Sequence, residues 1–458
     1  MYGTASPLPE STRSDSVQDG GSGLLTGVVA VSCVAFLAFV IGSFTMYRGF
    51  FPAEPLRGAF QGGMALYDRM TGYNDPYDTD FWKPARTSVR GVLRHNAVKA
   101  QEGLTLYTSA DSQTAKLIDM NGRAVHKWTL PYSEVWDKSS AVREPQSDAF
   151  VHMEKTHVFP NGDLLALYTA MGDTPWGYGL VKMDKDSNVI WKYLAHAHHD
   201  FDIAPTGEIY VLTQEISKVD LPGFENLKKP RIDDFVVKLS PDGKELKRVW
   251  LTGALAQSQF GRKFYFVPDH HTGDYLHTNS VFLLDKPVPG IPQSKAGQVL
   301  VSFREISTIA LLDLETSKIV WAQSGPWVRQ HDAEFLADGH LLVFDNEGDP
   351  NGYGGTRVME IDPTDSKVKW RYGGREDQPL DSVARGSQVR LKNGNTLIVE
   401  SYGGRMFEVT QDGEVVWDFI NPVRGGVNQD RIPIIHWAER LDPQRDFAPE
   451  FRRNLGGQ

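Results

Sequence analysis

The sequence is poor in cysteine and has no excess of positive charge. Cys33 is the one cysteine among 458 residues, which excludes an internal disulfide and a zinc site built from cysteines. Acidic residues outnumber basic ones, with 58 Asp and Glu against 48 Lys and Arg and a formal net charge of −10. This balance argues against a nucleic-acid partner, because no basic surface field is expected to hold phosphates.

Several familiar catalytic and nucleotide-binding signatures are also missing. The chain has no G-x-S-x-G elbow, no H-E-x-x-H pair, no Walker loop and no Rossmann fingerprint. Its composition is otherwise that of a globular protein, with 40% hydrophobic and 23% charged residues. Any chemistry must therefore come from side chains that the fold brings together.

One long apolar run lies near the start of the chain. Leu24–Met46 contains 23 residues without a charge, enough to cross a hydrocarbon core of about 30 Å as a helix. A secretory signal peptide is the competing interpretation, but its apolar region is shorter and follows basic residues, whereas the preceding tail here is acidic. We expect a disordered tail at residues 1–23, a transmembrane helix at 24–46, and a stalk or partner-docking segment at 47–100.

The rest of the chain repeats a pattern of alternating apolar residues, a turn and a tryptophan. Each copy is typical of a β-hairpin, and a second hairpin around a glycine turn precedes most copies. Two hairpins per copy make four strands, which is the unit of a β-propeller blade. The tryptophans that end the copies are Trp128, Trp191, Trp250, Trp321, Trp370 and Trp417.

These six copies predict an all-β fold, a six-bladed β-propeller over residues 101–445, with a C-terminal tail at 446–458. The stretch Ile432–Pro443 is expected to pair with the first copy and close the ring, which removes exposed sheet edges. Several separate β-sandwiches are the alternative, but the copies lack linkers and are too short for sandwiches.

Polar and titratable residues stand where the innermost strands of several copies begin, and in a propeller these starts meet at one mouth of the central channel. Histidine, asparagine and arginine suit an oxyanion such as a sulfuryl or phosphoryl group, because they donate hydrogen bonds to its oxygens. A neutral histidine can also act as a covalent nucleophile. The residues concerned are His157, His199, His277, Asn279, Arg304, His331 and Ser387.

Other interpretations of these residues stay open at this point. A single histidine at a strand start is more often a structural hydrogen-bonding group, and Arg304 has Glu305 beside it as an ion-pair partner. Three histidines can also hold zinc or iron, although a neighbouring arginine disfavours a metal cation unless an anion bridges them.

Four segments resemble the bacterial arylsulfotransferases, which are aryl sulfate sulfotransferases that need no nucleotide sulfate donor. The segments read HHDFDIAPTGEIYVL, LHTNSVFLLD, VSFREISTIALLDLETSKIVW and RQHDAEFLADGHLLVFDNEG, and the similarity runs from about residue 100 to 445. The resemblance implies a six-bladed propeller that transfers a sulfuryl group from an aryl sulfate donor to a phenolic acceptor through a sulfohistidine. It implies neither a cofactor nor a metal.

The resemblance also implies roles for five residues of this sequence. His331 corresponds to the nucleophile of the family, and His199 corresponds to its acid and base. His277, Asn279 and Arg304 correspond to the groups that hold the sulfuryl oxygens.

Two features depart from the pattern of the family. The last copy has Ser387 and Gln388 where a histidine-bearing motif is expected, and the first 100 residues have no counterpart. Family members usually act outside the cytoplasmic membrane, which implies a single-pass inner-membrane protein with its propeller in the periplasm. The slight excess of arginine after the apolar run, Arg48 and Arg57 against Arg13, favours the opposite orientation.

Two further functions fit the same residues. A non-enzymatic, membrane-anchored propeller would serve as a scaffold, with residues 47–100 docking a protein partner. A metal-dependent hydrolase would use the same histidines as metal ligands.

Overall fold

The computed structural model describes residues 20–53, 55, 75–267 and 273–455, in two units, residues 1–74 and 75–458. In the first unit a helix spans Gly20–Arg48. Its stretch Thr26–Arg48 has a mean hydropathy of 2.4 and is long and apolar enough to cross a membrane. Most of the predicted tail at 1–23, residues 54 and 56–74 of the predicted stalk, and residues 456–458 lie outside the described residues.

The second unit is a six-bladed β-propeller, as the repeats predict. Each blade is an antiparallel sheet of four or five strands, because each copy folds into two successive hairpins. Two strands precede the ring, β1 (Trp82–Pro84) and β2 (Gly91–His95).

The strands of the ring follow one another along the chain with these bounds. Blade 1 contains β3 (Leu104–Ser109), β4 (Thr114–Ile118) and β5 (Ala124–Thr129). Blade 2 contains β6 (Val151–Val158), β7 (Leu164–Ala170), β8 (Gly177–Met183) and β9 (Val189–Tyr193). Blade 3 contains β10 (Ala197–Ile203), β11 (Ile209–Ser217), β12 (Arg231–Leu239) and β13 (Glu245–Trp250). Blade 4 contains β14 (Thr278–Leu283), β15 (Val299–Phe303), β16 (Thr308–Asp313) and β17 (Lys318–Gln323).

The later elements complete the ring. Blade 5 contains β18 (His331–Phe335), β19 (Leu341–Asp345), β20 (Arg357–Ile361) and β21 (Val368–Tyr372), and a small hairpin of β22 (Gly374–Arg375) and β23 (Gln378–Pro379) follows it. Blade 6 contains β24 (Ser387–Arg390), β25 (Thr396–Glu400), β26 (Arg405–Val409) and β27 (Val415–Ile420). The last strands are β28 (Arg431–Pro433) and β29 (Ile435–Leu441). Short α-helices lie at Tyr132–Val135, Leu251–Ala256, Pro443–Asp446 and Pro449–Arg453, and 3-10 turns lie at Asp148–Phe150, Gly261–Phe266 and Ser401–Gly403.

The ring closes where the last strand joins the first blade. β29 pairs antiparallel with β3, from Ile435 opposite Ser109 to Leu441 opposite Leu104. β29 is therefore the innermost strand of blade 1, as expected from the stretch Ile432–Pro443. Closure pairs the inner edge of this blade, which would otherwise be an open sheet edge.

Part of the segment predicted as a stalk is built into the propeller. β2 extends blade 6 as a fifth strand, with Gly91 opposite Ile420, and β1 pairs with β28. Phe81 and Trp82 beside β1 are buried. At the other end, Phe451 of the predicted C-terminal tail is buried against Trp128, with ring centroids 6.0 Å apart.

The recurring tryptophans hold successive blades together. The indole N–H of Trp128 in blade 1 donates to the backbone oxygen of Gly162 in blade 2 at 2.9 Å. Trp417 in blade 6 donates in the same way to Met120 in blade 1 at 3.0 Å. Trp191 and Trp370 make the equivalent bonds to the blades that follow them. These four tryptophans thus bury apolar area and also satisfy a turn carbonyl of the neighbouring blade, whereas the buried indole N–H of Trp250 has no partner among the described residues.

We predict that Trp417→Ala lowers the free energy of unfolding by about 3–5 kcal/mol, because a fully buried indole leaves a cavity. Trp370→Ala is the matched control: this residue makes the same kind of interblade bond but is only half-buried, so its loss should be clearly smaller. Chemical denaturation of the purified proteins measures both changes. Equal losses would contradict the assignment of the closing interface to Trp417.

Candidate active site

The five residues carried over from the sequence meet at one mouth of the central channel. His199, His277, Arg304 and His331 line a cavity of about 390 Å³, which we call the mouth cavity. Asn279 lines a smaller cavity of about 50 Å³, the inner cavity, together with His199 and His331. The two cavities adjoin because they share His199 and His331. Residues separated by up to 132 positions in the chain (199 to 331) therefore face a common space.

Irregular backbone at the start of each inner strand aims these side chains. His199 and His277 have φ angles of 57° and 46°, a left-handed conformation that is strained for residues other than glycine. The strand register shifts between Ala197 and Phe201, and again between His331 and Glu334. Such bulges redirect a side chain out of the sheet, and they often occur next to active sites.

Aspartates next to two of these histidines join neighbouring blades. Asp200, after His199, accepts a hydrogen bond from the backbone N–H of Val281 in blade 4 at 2.9 Å. Asp332, after His331, accepts one from the N–H of Gln388 in blade 6 at 2.8 Å. Each His-Asp pair thus places an imidazole at the mouth and fixes its strand to the next one around the ring.

The hydrogen bonds around His331 determine which ring nitrogen is free. Asn346 donates its amide group to the backbone oxygens of Ser382 and Arg385 at 2.6 and 2.7 Å, so its Oδ1 atom is an acceptor. The Nδ1 atom of His331 lies 2.7 Å from this oxygen and must carry the proton. The lone pair is therefore on Nε2, where the backbone N–H of Arg385 donates a weak bond at 3.3 Å.

Burial keeps the imidazole of His331 neutral. It lowers the pKa of His331 well below its usual range, and the charge of Arg304 lowers it further. A neutral imidazole with its lone pair on a defined nitrogen is the form that a covalent nucleophile requires.

His199 is neutral for the same reasons. Burial lowers its pKa well below the usual range, and the neighbouring histidines His277 and His198 lower it further. Its Nδ1 atom lies 2.7 Å from Nδ1 of His198, and its backbone N–H donates to Glu154 at 3.0 Å. Burial raises the pKa of the Glu154 carboxyl.

The three candidate oxyanion-binding residues have hydrogen-bonding capacity left. Nδ1 of His277 lies 2.5 Å from Asp274, which leaves Nε2 free to face a ligand. Asn279 donates one amide hydrogen to the Gln330 carbonyl at 2.8 Å and keeps its second. Arg304 forms an ion pair with Glu305, the structural role considered from the sequence, while its buried Nε atom has no hydrogen-bond partner among the described residues.

The aromatic wall of the mouth was not found from the sequence. Trp176 stacks on His277 with ring centroids 5.1 Å apart, and its edge meets His199 at 5.8 Å. Phe81 and Tyr402 line the same cavity. The six-residue connection MGDTPW, residues 171–176, joins β7 to β8 and ends at Trp176, which is the one sequence signal that points to it.

Two other residues that the sequence placed at strand starts, His157 and Ser387, lie in different cavities. His157 lines a third cavity of about 280 Å³, the channel cavity, together with Glu334 and Glu439. This cavity shares Asp200 and Asp332 with the inner cavity but contains none of the five candidate residues. Ser387 does line the inner cavity, beside Arg385, which sequence analysis did not single out. In the part of the chain that the structure describes, the group spaced to hold a metal is Asp338, His340 and Glu360, near the opposite end of β18 from His331.

Comparisons with known proteins bear on family and fold. Residues 155–422, more than half of the chain, match the arylsulfotransferase (ASST) family. No curated protein matches the sequence. Among solved structures, a protein of unknown function from Bacteroides caccae shares 13% identity over 73% of this chain and 99% of its own, with a TM-score of 0.46. A virginiamycin B lyase from Staphylococcus aureus shares 9% identity over 77% of this chain and 97% of its own, with a TM-score of 0.38.

We predict that His331 stays neutral, with Nδ1 protonated and Nε2 unprotonated, as the pH falls from 8 through the usual histidine pKa of about 6.5. Its pKa is lowered, so acidification through 6.5 should not charge it. NMR of protein labelled with ¹⁵N-histidine measures this, and His331→Gln assigns the signal. An imidazolium signal that titrates near 6.5 would contradict the hydrogen-bonding scheme.

Proposed function

The chain belongs to the arylsulfotransferase family, and from that premise we propose that it transfers a sulfuryl group from an aryl sulfate ester to a phenolic acceptor through a sulfohistidine at His331. The observation that carries the proposal is the shared space around this residue. His331 lines a cavity together with Arg304, His277 and His199, and Asn279 lines the adjoining one. The unprotonated Nε2 of His331 holds one long bond, 3.3 Å from the backbone N of Arg385, which an incoming sulfuryl group would replace.

In the first half-reaction, Nε2 of His331 attacks the sulfur, and the bond from sulfur to the aryl oxygen breaks. Positive charge develops on the imidazole as the new N–S bond forms. The Nδ1–H bond to Asn346, 2.7 Å long, holds the ring in place and strengthens as that charge grows. Positioning by fixed groups is expected to supply most of the rate increase, as in phosphoryl transfer.

Arg304, His277 and Asn279 surround the outer sulfuryl oxygens in this scheme. The guanidinium contributes a permanent positive charge and the amide a neutral donor. Because Nδ1 of His277 faces the Asp274 carboxylate, its Nε2 donates to a sulfuryl oxygen only when the ring carries both protons, as an ion pair with Asp274. Because these donors are already held by Glu305, Asp274 and Gln330, little reorganisation is needed as the S–O bond loosens.

His199 acts as the acceptor of the phenolic proton. In the second half-reaction it accepts the proton of the acceptor phenol as the phenol oxygen attacks sulfur and the N–S bond breaks. The proton then passes to water, which restores the neutral ring, and the phenolate that left in the first half-reaction takes its proton from water, so the full cycle is balanced. The low pKa of His199 keeps it unprotonated until the acceptor arrives, which is the form that a general base requires.

The remaining parts of the proposal concern location. We propose that Thr26–Arg48 anchors the protein in the cytoplasmic membrane, with the propeller in the periplasm, because this transfer needs no cytoplasmic nucleotide donor. A protein partner at residues 47–100 is part of the same proposal. A reporter enzyme that is active only in the periplasm, fused to the C-terminus, tests the orientation. Activity is expected, and an inactive reporter would place the propeller in the cytoplasm instead.

Incubation with 4-nitrophenyl sulfate and no acceptor should add one sulfuryl group to the intact protein, as measured by mass spectrometry. His331→Ala should abolish this label and lower kcat/KM by at least about a thousandfold, because the covalent path is lost. His157→Gln is the matched control, since that histidine lines the channel cavity, and it should retain the label.

Two outcomes would contradict the proposal. One is wild-type protein that releases 4-nitrophenol yet never carries the label. The other is a label that remains in His331→Ala. Loss of activity on removal of divalent metals would favour the hydrolase interpretation instead.

A further inference from the structure

Arg385 has no carboxylate within ion-pair distance of its guanidinium among the residues that the structure describes. Three arginines line the mouth cavity, Arg304, Arg329 and Arg385. Arg304 pairs with Glu305, and Arg329 pairs with Glu305 and Glu347 at 3.1 and 3.4 Å. The Arg385 side chain forms no hydrogen bond or ion pair with the described residues. Its guanidinium lies over the ring of Phe81, 4.9 Å from the ring centroid.

The acidic residues near Arg385 are engaged elsewhere. Glu154 accepts the backbone N–H of His199. Asp80 bonds to Lys83 at 2.9 Å. Both carboxyl groups line the mouth cavity with Arg385 and feel its charge at longer range, but neither lies within ion-pair distance of it. The charge of Arg385 therefore faces the cavity and is available to a ligand.

The backbone of Arg385 is tied to the nucleophile. Its φ angle is 59°, a strained conformation for this residue type. Its N–H donates to Nε2 of His331 at 3.3 Å, and its carbonyl accepts from Asn346, which also holds His331. A strained position that is maintained by the groups around the nucleophile points to a role in the site.

The Phe81 ring under the Arg385 guanidinium is held in place by its neighbours. Phe81 is only 2% exposed, and it packs edge-on against His152 and His436 with ring centroids 4.8 and 5.1 Å apart. Its backbone oxygen accepts from Ile434 at 3.0 Å. An arginine whose guanidinium lies over such a ring is held in position, while its N–H donors stay available to a ligand beside the ring.

We propose that Arg385 binds a carboxylate on the aromatic substrate, so that the preferred phenols carry an anionic substituent. The proposal rests on the function proposed above, in which Arg304, His277 and Asn279 already account for the sulfuryl oxygens. The aromatic ring then lies in the mouth cavity, which Trp176 and Phe81 line. The planar guanidinium matches the two oxygens of a carboxylate.

Equilibrium binding tests this without any turnover. Calorimetry on the wild-type protein, with no sulfate donor present, compares 4-hydroxyphenylacetate with 4-methylphenol, which has a similar ring and no charge. We expect about tenfold or more tighter binding of the carboxylated phenol, typical of a charge-assisted pair. Arg385→Gln should remove the difference, and Arg385→Lys should restore part of it.

Arg329→Gln is the matched control. This arginine lines the same cavity and has a φ angle of 56°, but it is already paired with carboxylates. It should leave the preference for the carboxylated phenol unchanged. The preference of the wild-type protein should also weaken as salt is added, because charges at an open mouth are screened; this arm decides the question even if Arg385→Gln does not fold.

Three results would overturn the proposal: equal binding of the two phenols by wild type, a preference that survives in Arg385→Gln, or an equal loss of affinity for both phenols in that variant. The last result would assign Arg385 to the sulfuryl group or to structure. If no variant transfers a sulfuryl group but the binding preference follows Arg385, the proposed function fails while the anion site stands.

Discussion

Closure of the ring is the constraint on which the site depends. The inner strands of neighbouring blades do not pair in one sheet, so the mouth keeps its shape only if the blades cannot spread apart. Pairing of β29 with β3 joins the C-terminal end of the propeller chain to blade 1, and the indole of Trp417 joins blade 6 to blade 1 at the outer side. Inside, Asp200 and Asp332 bond to backbone N–H groups of the next blade. The same sequence repeat thus supplies the imidazoles and the groups that hold them in place.

Electrostatics at the mouth follow from burial. The imidazoles of His199 and His331 stay neutral because their charged forms would lose solvation and lie near arginine side chains. Permanent positive charge is supplied by arginines instead. Arg304 is partly neutralised by Glu305, whereas Arg385 keeps its charge toward the cavity. A site of neutral nucleophile and fixed cations suits a reaction in which anionic groups arrive, are transferred and leave.

The fold and the convergence of the five residues could be predicted from the sequence, while the details of the site could not. Periodic features carried the prediction: tryptophans at blade ends, and histidines at equivalent strand starts such as His199 and His331. Asn346, Trp176 and Arg385 lie in loops or irregular segments, where no periodicity marks a side chain as facing the channel. Phe81 could not be predicted for a different reason: it comes from a segment predicted to be a stalk, and the sequence did not indicate that β1 of this segment pairs with β28 of the propeller.

The most direct test of the central claim is a crystal structure of the His331→Asn variant with 4-nitrophenyl sulfate bound. The account predicts the sulfur next to residue 331, with the outer oxygens in contact with Arg304, His277 and Asn279 and the aryl ring in the mouth cavity. An ester bound on another face of the propeller, or a ring that separates these side chains, would contradict it.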